Sequence, residues 1–148
     1  MAIASSPTPT ANATRTTTPA LESTWVSRLL SLLRITTAFT FVQHGSAKLL
    51  GFPKVAMFEN LQLFSLFGLA GILELVGGAL LLIGLFTRPV AFVLSGLMAA
   101  AYFIAHSEPF FSPMLSGGEA AYLFCFIFLF LAAAGAGPWS VDALRRRR

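Results

Sequence analysis

The chain contains few charged residues and a single cysteine, and each scarcity excludes a class of protein. Only 11% of its 148 residues are charged, whereas a soluble domain carries about 25%. Hydrophobic residues make up 56% of the chain, which is typical of a membrane protein. Because Cys125 is the one cysteine, no disulfide and no dithiol relay can form within the chain, and we interpret it as a small packing residue.

The excess of basic residues does not indicate nucleic-acid binding. The formal net charge is +4, but four of the ten basic residues form the terminal run 145–148. No aromatic groove accompanies this run, and a short basic cluster beside apolar segments is typical of an anchor at an anionic membrane surface. We therefore expect membrane lipid, and no nucleic acid, as a partner.

Residues 1–24 lack the large apolar side chains that fold a chain. They are mainly Ser, Thr, Pro and Ala, with one Arg and one Glu, and such a composition cannot offset the entropy lost on folding. A signal peptide would need an apolar central region, and an organelle transit peptide would carry more Arg and an amphipathic period. We expect a disordered N-terminal tail.

Residues 64–86 form an apolar run that is interrupted by one carboxylate, Glu74. As a helix the run would be about 34 Å long, enough to cross a hydrocarbon core of about 30 Å. An ionisable group near the middle of a span costs about 2.5 to 3.5 kcal/mol on insertion scales, so it faces protein or water and has a partner. Glu74 is therefore the first candidate functional residue.

Three further apolar segments, 25–50, 89–105 and 119–136, have the length of membrane spans. The predicted fold class is an all-α membrane protein, a four-transmembrane-helix bundle. Its domains are the tail 1–24, a four-span membrane domain 25–144 and a basic C-terminal tail 145–148. The tight reversal at 87–89 makes the second and third spans antiparallel neighbours.

The distribution of Lys and Arg predicts the orientation of the spans. With four spans, seven basic residues share one side and two lie on the other. The seven are Arg15, Arg28, Arg88 and residues 145–148, and the two are Lys48 and Lys54. Because basic loops stay inside, we expect a multi-pass membrane protein with both termini in the cytoplasm.

The first span carries a polar stripe. At 100° per residue, six residues fall within about 100° of one another: Arg34, Thr37, Phe41, His44, Gly45 and Lys48. Such a stripe must face the bundle interior or a cavity. The alternative is that Arg34 and Lys48 extend to opposite interfaces, which we favour for Lys48 because it lies close to the end of the span.

Under this topology the polar residues gather around Glu74. Along the membrane normal, Glu74 and His44 differ in depth by only about 5 Å, whereas Arg34 lies about 9 Å from Glu74 in the opposite direction. We therefore predict His44 or Gln43 as the partner of Glu74. Lys48 and His106 would lie at the mouth of a funnel that opens outward. Four further charged residues, Arg34, Arg88, Asp142 and Glu119, are expected in structural ion pairs or at helix ends. Asp142 would cap a helix or pair with Arg88.

Several short motifs together resemble the DoxX family of small four-helix membrane proteins. They are Leu33-Arg34, Gln43-His44-Gly45-Ser46-Ala47-Lys48-Leu49, Gly71-Ile72-Leu73-Glu74-Leu75-Val76-Gly77-Gly78, Gly84-Leu85-Phe86-Thr87-Arg88, Gly117-Gly118-Glu119 and the closing residues 135–142. The bulky pair Pro138-Trp139 departs from the pattern. The resemblance covers about 29–144 and implies a bacterial inner-membrane protein. It also implies a link to quinone-dependent or oxidative-stress complexes, without supplying a catalytic mechanism.

Two functions remain open from the sequence. In one, the chain is a redox subunit in which Glu74, His44 and His106 carry protons beside a quinone ring held among three aromatic residues, which are Phe41, Tyr102 and Phe103. The chain offers no electron carrier of its own, so a soluble or membrane oxidoreductase partner would supply flavin, haem or metal. In the other, it is an anchor or a purely structural membrane protein whose polar residues hold the helices together.

Other ligand sites fit the residue spacing less well. Haem ligation by His44 and His106 would join residues at different depths, and a zinc site from His44, His106, Glu108 and Glu119 lacks local motif spacing. A secondary transporter would need paired repeats, which the two halves do not show. We therefore expect no metal, with quinone as the one candidate cofactor.

Overall fold

The computed structural model describes residues 20–59, 61–106 and 112–147, and over these residues the chain is helical with no strand. The helices are α1 (Ala20–Leu49), a 3₁₀ turn (Ala56–Phe58), α2 (Leu66–Ile83), α3 (Thr87–Ala105), α4 (Pro113–Ser116), α5 (Glu119–Ala134) and α6 (Val141–Arg146). Among the described residues, three helices are long and apolar enough to cross a membrane, namely α1, α2 and α3. Helix α5 is apolar but shorter, at 16 residues.

The first helix is longer than predicted. It begins at Ala20 rather than at Trp25, so the last five residues of the predicted tail belong to α1. The rest of that tail, residues 1–19, lies outside the described residues, as does Glu108. At the other end of the chain, α6 contains Arg145 and Arg146, the first two residues of the predicted basic tail.

Helix α2 is shorter than the predicted span 64–86, because both of its ends are capped. The Ser65 hydroxyl accepts a hydrogen bond from the backbone N–H of Gly68 at 3.1 Å, which is a typical helix start. Gly84 adopts the left-handed conformation with φ 69° and ends the helix. The reversal therefore lies at 84–86 and not at 87–89. Pro89 is already in the first turn of α3, where a missing N–H has no cost.

Helices α1 and α2 pack antiparallel and very closely, because glycines lie between them. Their contacts have the antiparallel order, because Val42, Gly45 and Lys48 of α1 lie against Gly78, Leu75 and Gly71 of α2, respectively. A β-carbon at Gly45 would lie 2.5 Å from the backbone nitrogen of Leu75. Small residues that let helix backbones approach are the usual interface of membrane helices.

Substituting alanine for Gly45 is expected to destabilise the protein by about 1 to 3 kcal/mol, because the added methyl group would force the α1 and α2 backbones apart. The matched control is Gly96→Ala in α3, since no atom lies within 4 Å of a β-carbon at Gly96. Thermal unfolding in detergent measures both variants. Equal midpoints for the two would show that α1 and α2 are not in close contact at Gly45.

Helices α3 and α5 form the second antiparallel pair. Tyr102 near the end of α3 lies against Gly118 before α5, and the Ser95 hydroxyl donates to the carbonyl of Cys125 at 2.9 Å. Cys125 is a free, half-buried thiol in this interface. Together with α1 and α2 this pair encloses an apolar core of Ala38, Phe41, Leu81, Ala91, Leu94, Met98, Phe128 and Leu131.

The outer surface of the helices is apolar. Large hydrophobic side chains on all four longer helices are exposed, among them Leu32, Phe39, Ile72, Val76, Phe92, Val93, Phe126 and Phe130. Apolar patches of this extent are rare on monomeric soluble proteins. The surface therefore suits contact with lipid chains.

Candidate functional site: a polar cavity at the end of the bundle

A cavity of about 200 Å³ lies where α1 and α3 end and α5 begins, and we call this the cavity end of the bundle. Four of the five residues predicted for the functional centre line it: His44, Lys48, Glu74 and His106. The fifth, Gln43, does not line it and is exposed on α1. Helical periodicity explains the difference, because neighbouring residues point about 100° apart.

Glu74 is buried in an ion pair with Lys48. The Nζ atom of Lys48 lies 2.5 Å from Oε1 of Glu74, and their side chains are 13% and 3% exposed. The predicted partner, His44 or Gln43, is therefore wrong, and so is the extension of Lys48 to the interface. Because Gly71 lets the two helices approach beside Lys48, the long lysine side chain can reach back along α1 to the carboxylate.

The second oxygen of this carboxylate, Oε2, is buried and has no hydrogen-bond partner among the described residues. Such an atom is costly unless something binds it. Lys48 has a further neighbour, since its Nζ lies 5.7 Å from the centre of the Phe58 ring in the 3₁₀ turn. The cavity wall thus contains a paired ammonium and a carboxylate with one free acceptor.

The two histidines are held by contacts with α5 and the segment before it. The His44 ring lies edge-on to Phe124, with 5.8 Å between ring centres. The Nδ1 atom of His106 lies 3.0 Å from the carbonyl oxygen of Ser116, so a neutral His106 would be protonated on that nitrogen. Both imidazoles therefore border the cavity in fixed positions.

Aromatic rings form the apolar part of the wall. Phe41 meets Phe124 and Phe128 edge-on, with ring centres 5.2 and 4.8 Å apart. Of the three aromatic residues predicted to hold a ring, only Phe41 lines the cavity. Tyr102 is buried, and its hydroxyl has no hydrogen-bond partner among the residues that the structure describes, whereas Phe103 is exposed.

Arg34 lies at the opposite end of the bundle, the arginine end, and is fully buried. Its guanidinium donates to four carbonyl oxygens: Ala136 at 2.9 Å, Leu82 at 2.7 Å, Trp139 at 2.5 Å, and Leu81. The predicted ion pair of Arg34 is not found among the described residues. Of the two alternatives for its direction, the side chain faces the bundle interior and does not extend to an interface. The last carbonyls of a helix have no donors from a following turn. The guanidinium is such a donor for Leu82, and it adds a second hydrogen bond to Leu81, which also accepts one from the N–H of Gly84 at 3.0 Å.

Asp142 caps the N-terminus of α3, although the two lie more than 50 residues apart in the chain. Its carboxylate accepts hydrogen bonds from the backbone N–H groups of Phe86 at 2.9 Å and Thr87 at 2.8 Å. Of the two predicted roles, capping is therefore found, while no ion pair joins Asp142 to Arg88 in the part of the chain that the structure describes. Glu119 lies exposed in the first turn of α5 and forms no ion pair with a described residue.

The surroundings of Asp142 lower its pKa. Partial burial raises the pKa of the carboxyl, but the hydrogen bonds from Thr87 and Phe86 and the charge of Arg146 together outweigh burial. A carboxylate with a lowered folded-state pKa stabilises the fold above its ordinary pKa of about 3.9, and that stabilisation is lost as the pH falls below this value.

We therefore expect Asp142→Ala to lower stability by about 1 to 3 kcal/mol at neutral pH, since two charge-assisted hydrogen bonds are lost. The difference from the wild type should be smaller near about pH 3 than at neutral pH, because the stabilisation by a carboxylate with a lowered folded-state pKa is lost progressively as the pH falls below about 3.9. Thermal unfolding in detergent at both pH values measures this. A difference that is the same at both would contradict a role for the ionised carboxylate.

Within residues 20–59, 61–106 and 112–147, no three His, Cys, Asp or Glu side chains lie close enough together to hold a metal ion. His44 and His106 share the cavity wall, whereas Glu119 does not line it.

Comparison with known proteins places the chain in a family. The sequence model of the DoxX family matches residues 29–107, the range that contains Arg34, His44, Lys48, Glu74 and His106. A Haemophilus influenzae protein, described as an uncharacterized protein, is 42% identical over 117 residues, covering 76% of this chain and 87% of its own length. No solved structure matches the chain. The chain therefore belongs to the DoxX family of small membrane proteins.

Proposed function

We propose that the chain is an integral membrane subunit, or anchor, of a redox-related complex and that its cavity binds the head group of a quinone. The observation that carries the proposal is the buried Lys48–Glu74 pair, whose carboxylate keeps a free oxygen atom at a cavity with aromatic walls. Small-molecule sites are typically apolar, with a few polar groups that orient the ligand.

The residues present fit a quinone head. Lys48 has donor N–H groups that can reach a quinone carbonyl, and Glu74 Oε2 can accept a hydrogen bond from a quinol hydroxyl. Phe41 and Phe124 supply flat apolar surfaces for the ring. The free acceptor on Glu74 then gains the partner that it lacks among the described residues.

A quinone held here by Lys48 and Glu74 would supply two-electron, two-proton redox chemistry. The protein side chains around the cavity can hold and pass the protons: histidine is the residue type that changes charge near neutral pH, and a carboxylate is a common proton acceptor. The electrons would come from a partner oxidoreductase, soluble or in the membrane, that contains flavin, haem or metal.

We further propose that α5 and the two residues after it, 119–136 in all, form a fourth span, with both termini in the cytoplasm of a bacterium. The antiparallel packing of α3 and α5 supports this topology, as does the excess of Arg near both termini. The arginine end then faces the cytoplasm and the cavity end faces outward. A reporter fused after Arg148 should work only as a cytoplasmic probe, and one inserted beside Lys54 only as an external probe.

The proposed function is tested by extracting quinone from protein purified from membranes in mild detergent. We expect quinone in near-equal amount with the wild type, and little with Glu74→Gln. The matched control is Glu119→Gln, which changes an exposed carboxylate away from the cavity. Quinone-free wild-type protein that still binds a soluble oxidoreductase would contradict the quinone site and leave an anchor.

A further inference from the structure

A second cavity lies on the other side of the Lys48–Glu74 pair. It has a volume of about 260 Å³, lies between α2 and α3, and is lined almost entirely by apolar side chains such as Phe67, Leu73 and Leu97. Lys48 and Glu74 line this cavity as well as the polar one. The ion pair therefore lies where a polar and an apolar cavity meet.

The apolar space continues along the bundle. A third cavity of about 320 Å³ lies between α2 and α3 towards Pro89, and it shares Leu73 with the second. We call the two together the α2–α3 groove, formed by residues 66–80 of α2 and 89–105 of α3. Its rims are exposed apolar side chains, including Leu69, Val76, Val93 and Ile104. The groove thus opens on the surface that suits lipid chains.

Lys48 and Glu74, at one end of the groove, favour a ligand with a neutral head group. Lys48 and Glu74 form a pair that is neutral overall, so a charged head group would gain no net attraction. An anionic head, such as a lipid phosphate, would also meet the free oxygen of Glu74. A neutral head that can both accept and donate hydrogen bonds matches Lys48 and Oε2 of Glu74.

We infer that the ligand enters sideways from the bilayer and that its hydrocarbon chain lies in the α2–α3 groove while its ring occupies the polar cavity. The ligand class is a quinone with a long apolar chain. The identity of the ring rests on the proposed function above, whereas the groove is a separate feature of the fold. The Lys48–Glu74 pair marks the boundary between ring and chain.

The test compares two probes, a ring-only benzoquinone and its decyl derivative, by equilibrium binding to the full-length protein in detergent. Ala100 lines the groove, is exposed, and does not line the polar cavity. We expect the wild type to bind the decyl compound at least about tenfold more tightly, since each buried methylene adds affinity. Ala100→Phe should remove that advantage and leave binding of the ring-only compound unchanged.

The control is Ala133→Phe, which adds the same bulk on an exposed face of α5 away from the cavities described and should bind both probes as the wild type does. Unchanged binding of the ring-only compound also shows that Ala100→Phe is folded. If the wild type binds both probes equally, the groove does not hold the chain, although the ring site stands. If it binds neither probe, the proposed function fails together with the inference.

Discussion

Replacement of Arg34 by methionine is expected to destabilise the protein by about 4 kcal/mol or more, the largest effect of any single substitution considered. The guanidinium is fully buried and donates to four carbonyl oxygens. The Leu81 carbonyl keeps its hydrogen bond from the N–H of Gly84, but each of the other acceptors that is left buried without a donor costs about 1 to 3 kcal/mol. Because whole domains are stable by only about 5 to 15 kcal/mol, this loss should lower the unfolding midpoint sharply and increase the aggregated fraction.

Lysine should restore only part of the lost stability at this position. The acceptors belong to the end of α2, at Leu81 and Leu82, and to the chain after α5, at Ala136 and Trp139. A planar guanidinium offers five N–H donors in a fixed fork, whereas an ammonium is a compact group with three. We expect Arg34→Lys to be intermediate between the wild type and Arg34→Met.

Thermal unfolding and size-exclusion chromatography in detergent measure these variants. The matched control is Arg28→Met, because Arg28 lies on the same helix but is exposed and contacts only the Trp25 ring among the interactions described, at 5.5 Å. Its stability should stay within about 0.5 kcal/mol of the wild type. Similar stability for Arg28→Met and Arg34→Met would show that the four carbonyls do not depend on Arg34.

Lys48→Met is expected to cost about 3 to 5 kcal/mol, the second large effect. The substitution leaves Glu74, a residue that is only 2% exposed, buried without the ionic partner that it has among the described residues. Breaking a buried pair from one side is more costly than removing both charges. The double variant with Lys48→Met and Glu74→Leu should therefore regain most of the lost stability while losing the proposed quinone site.

A double-mutant cycle of unfolding midpoints in detergent tests this coupling. The two single variants, Lys48→Met and Glu74→Leu, should lose more stability in sum than the double variant does. The control cycle pairs Lys54→Met with Glu59→Leu, both exposed in the connection between α1 and α2, and should be additive. Additive losses for Lys48 and Glu74 would show that the pair does not form in the folded protein.

The sequence was sufficient to predict much of the helical framework. Apolar runs identify α2, α3 and α5, and the helical period of α1 correctly puts Arg34, Phe41 and Lys48 on the side that faces the other helices. The period also separates His44, which lines the cavity, from Gln43, which does not. The boundaries of α2 were missed because they depend on a Ser65 cap and a left-handed Gly84 rather than on hydropathy.

The contacts between helices could not be predicted in the same way. His44 was predicted as the partner of Glu74 because the two residues have similar depths in the bundle. That comparison ignores the length of the side chains, and a lysine side chain reaches about one helical turn. The environment of Arg34 depends on the end of α2 and on residues 136–139, which only the fold brings together. Phe58 and Phe124 gave no periodic signal, since one lies in a connection and the other belongs to a run of phenylalanines spread around α5.

The α2–α3 groove also had no signal in the sequence. Apart from Lys48 and Glu74, most of its lining residues are leucine, isoleucine, valine, alanine and phenylalanine, the residues that fill any membrane helix. A groove forms only where two such helices leave space between them, and the sequence does not encode that space in any local pattern. The groove, the free oxygen of Glu74 and the aromatic wall together determine the ligand that we propose.

The most direct test of the quinone site is to locate a brominated, ring-only benzoquinone in crystals of the protein by the anomalous scattering of bromine. We predict one main peak in the polar cavity, within contact distance of Lys48, Glu74 and Phe124, that is absent from crystals of Glu74→Gln. Bromine found only on the lipid-facing surface, or a cavity peak of equal height in Glu74→Gln, would contradict a quinone site organised by the Lys48–Glu74 pair.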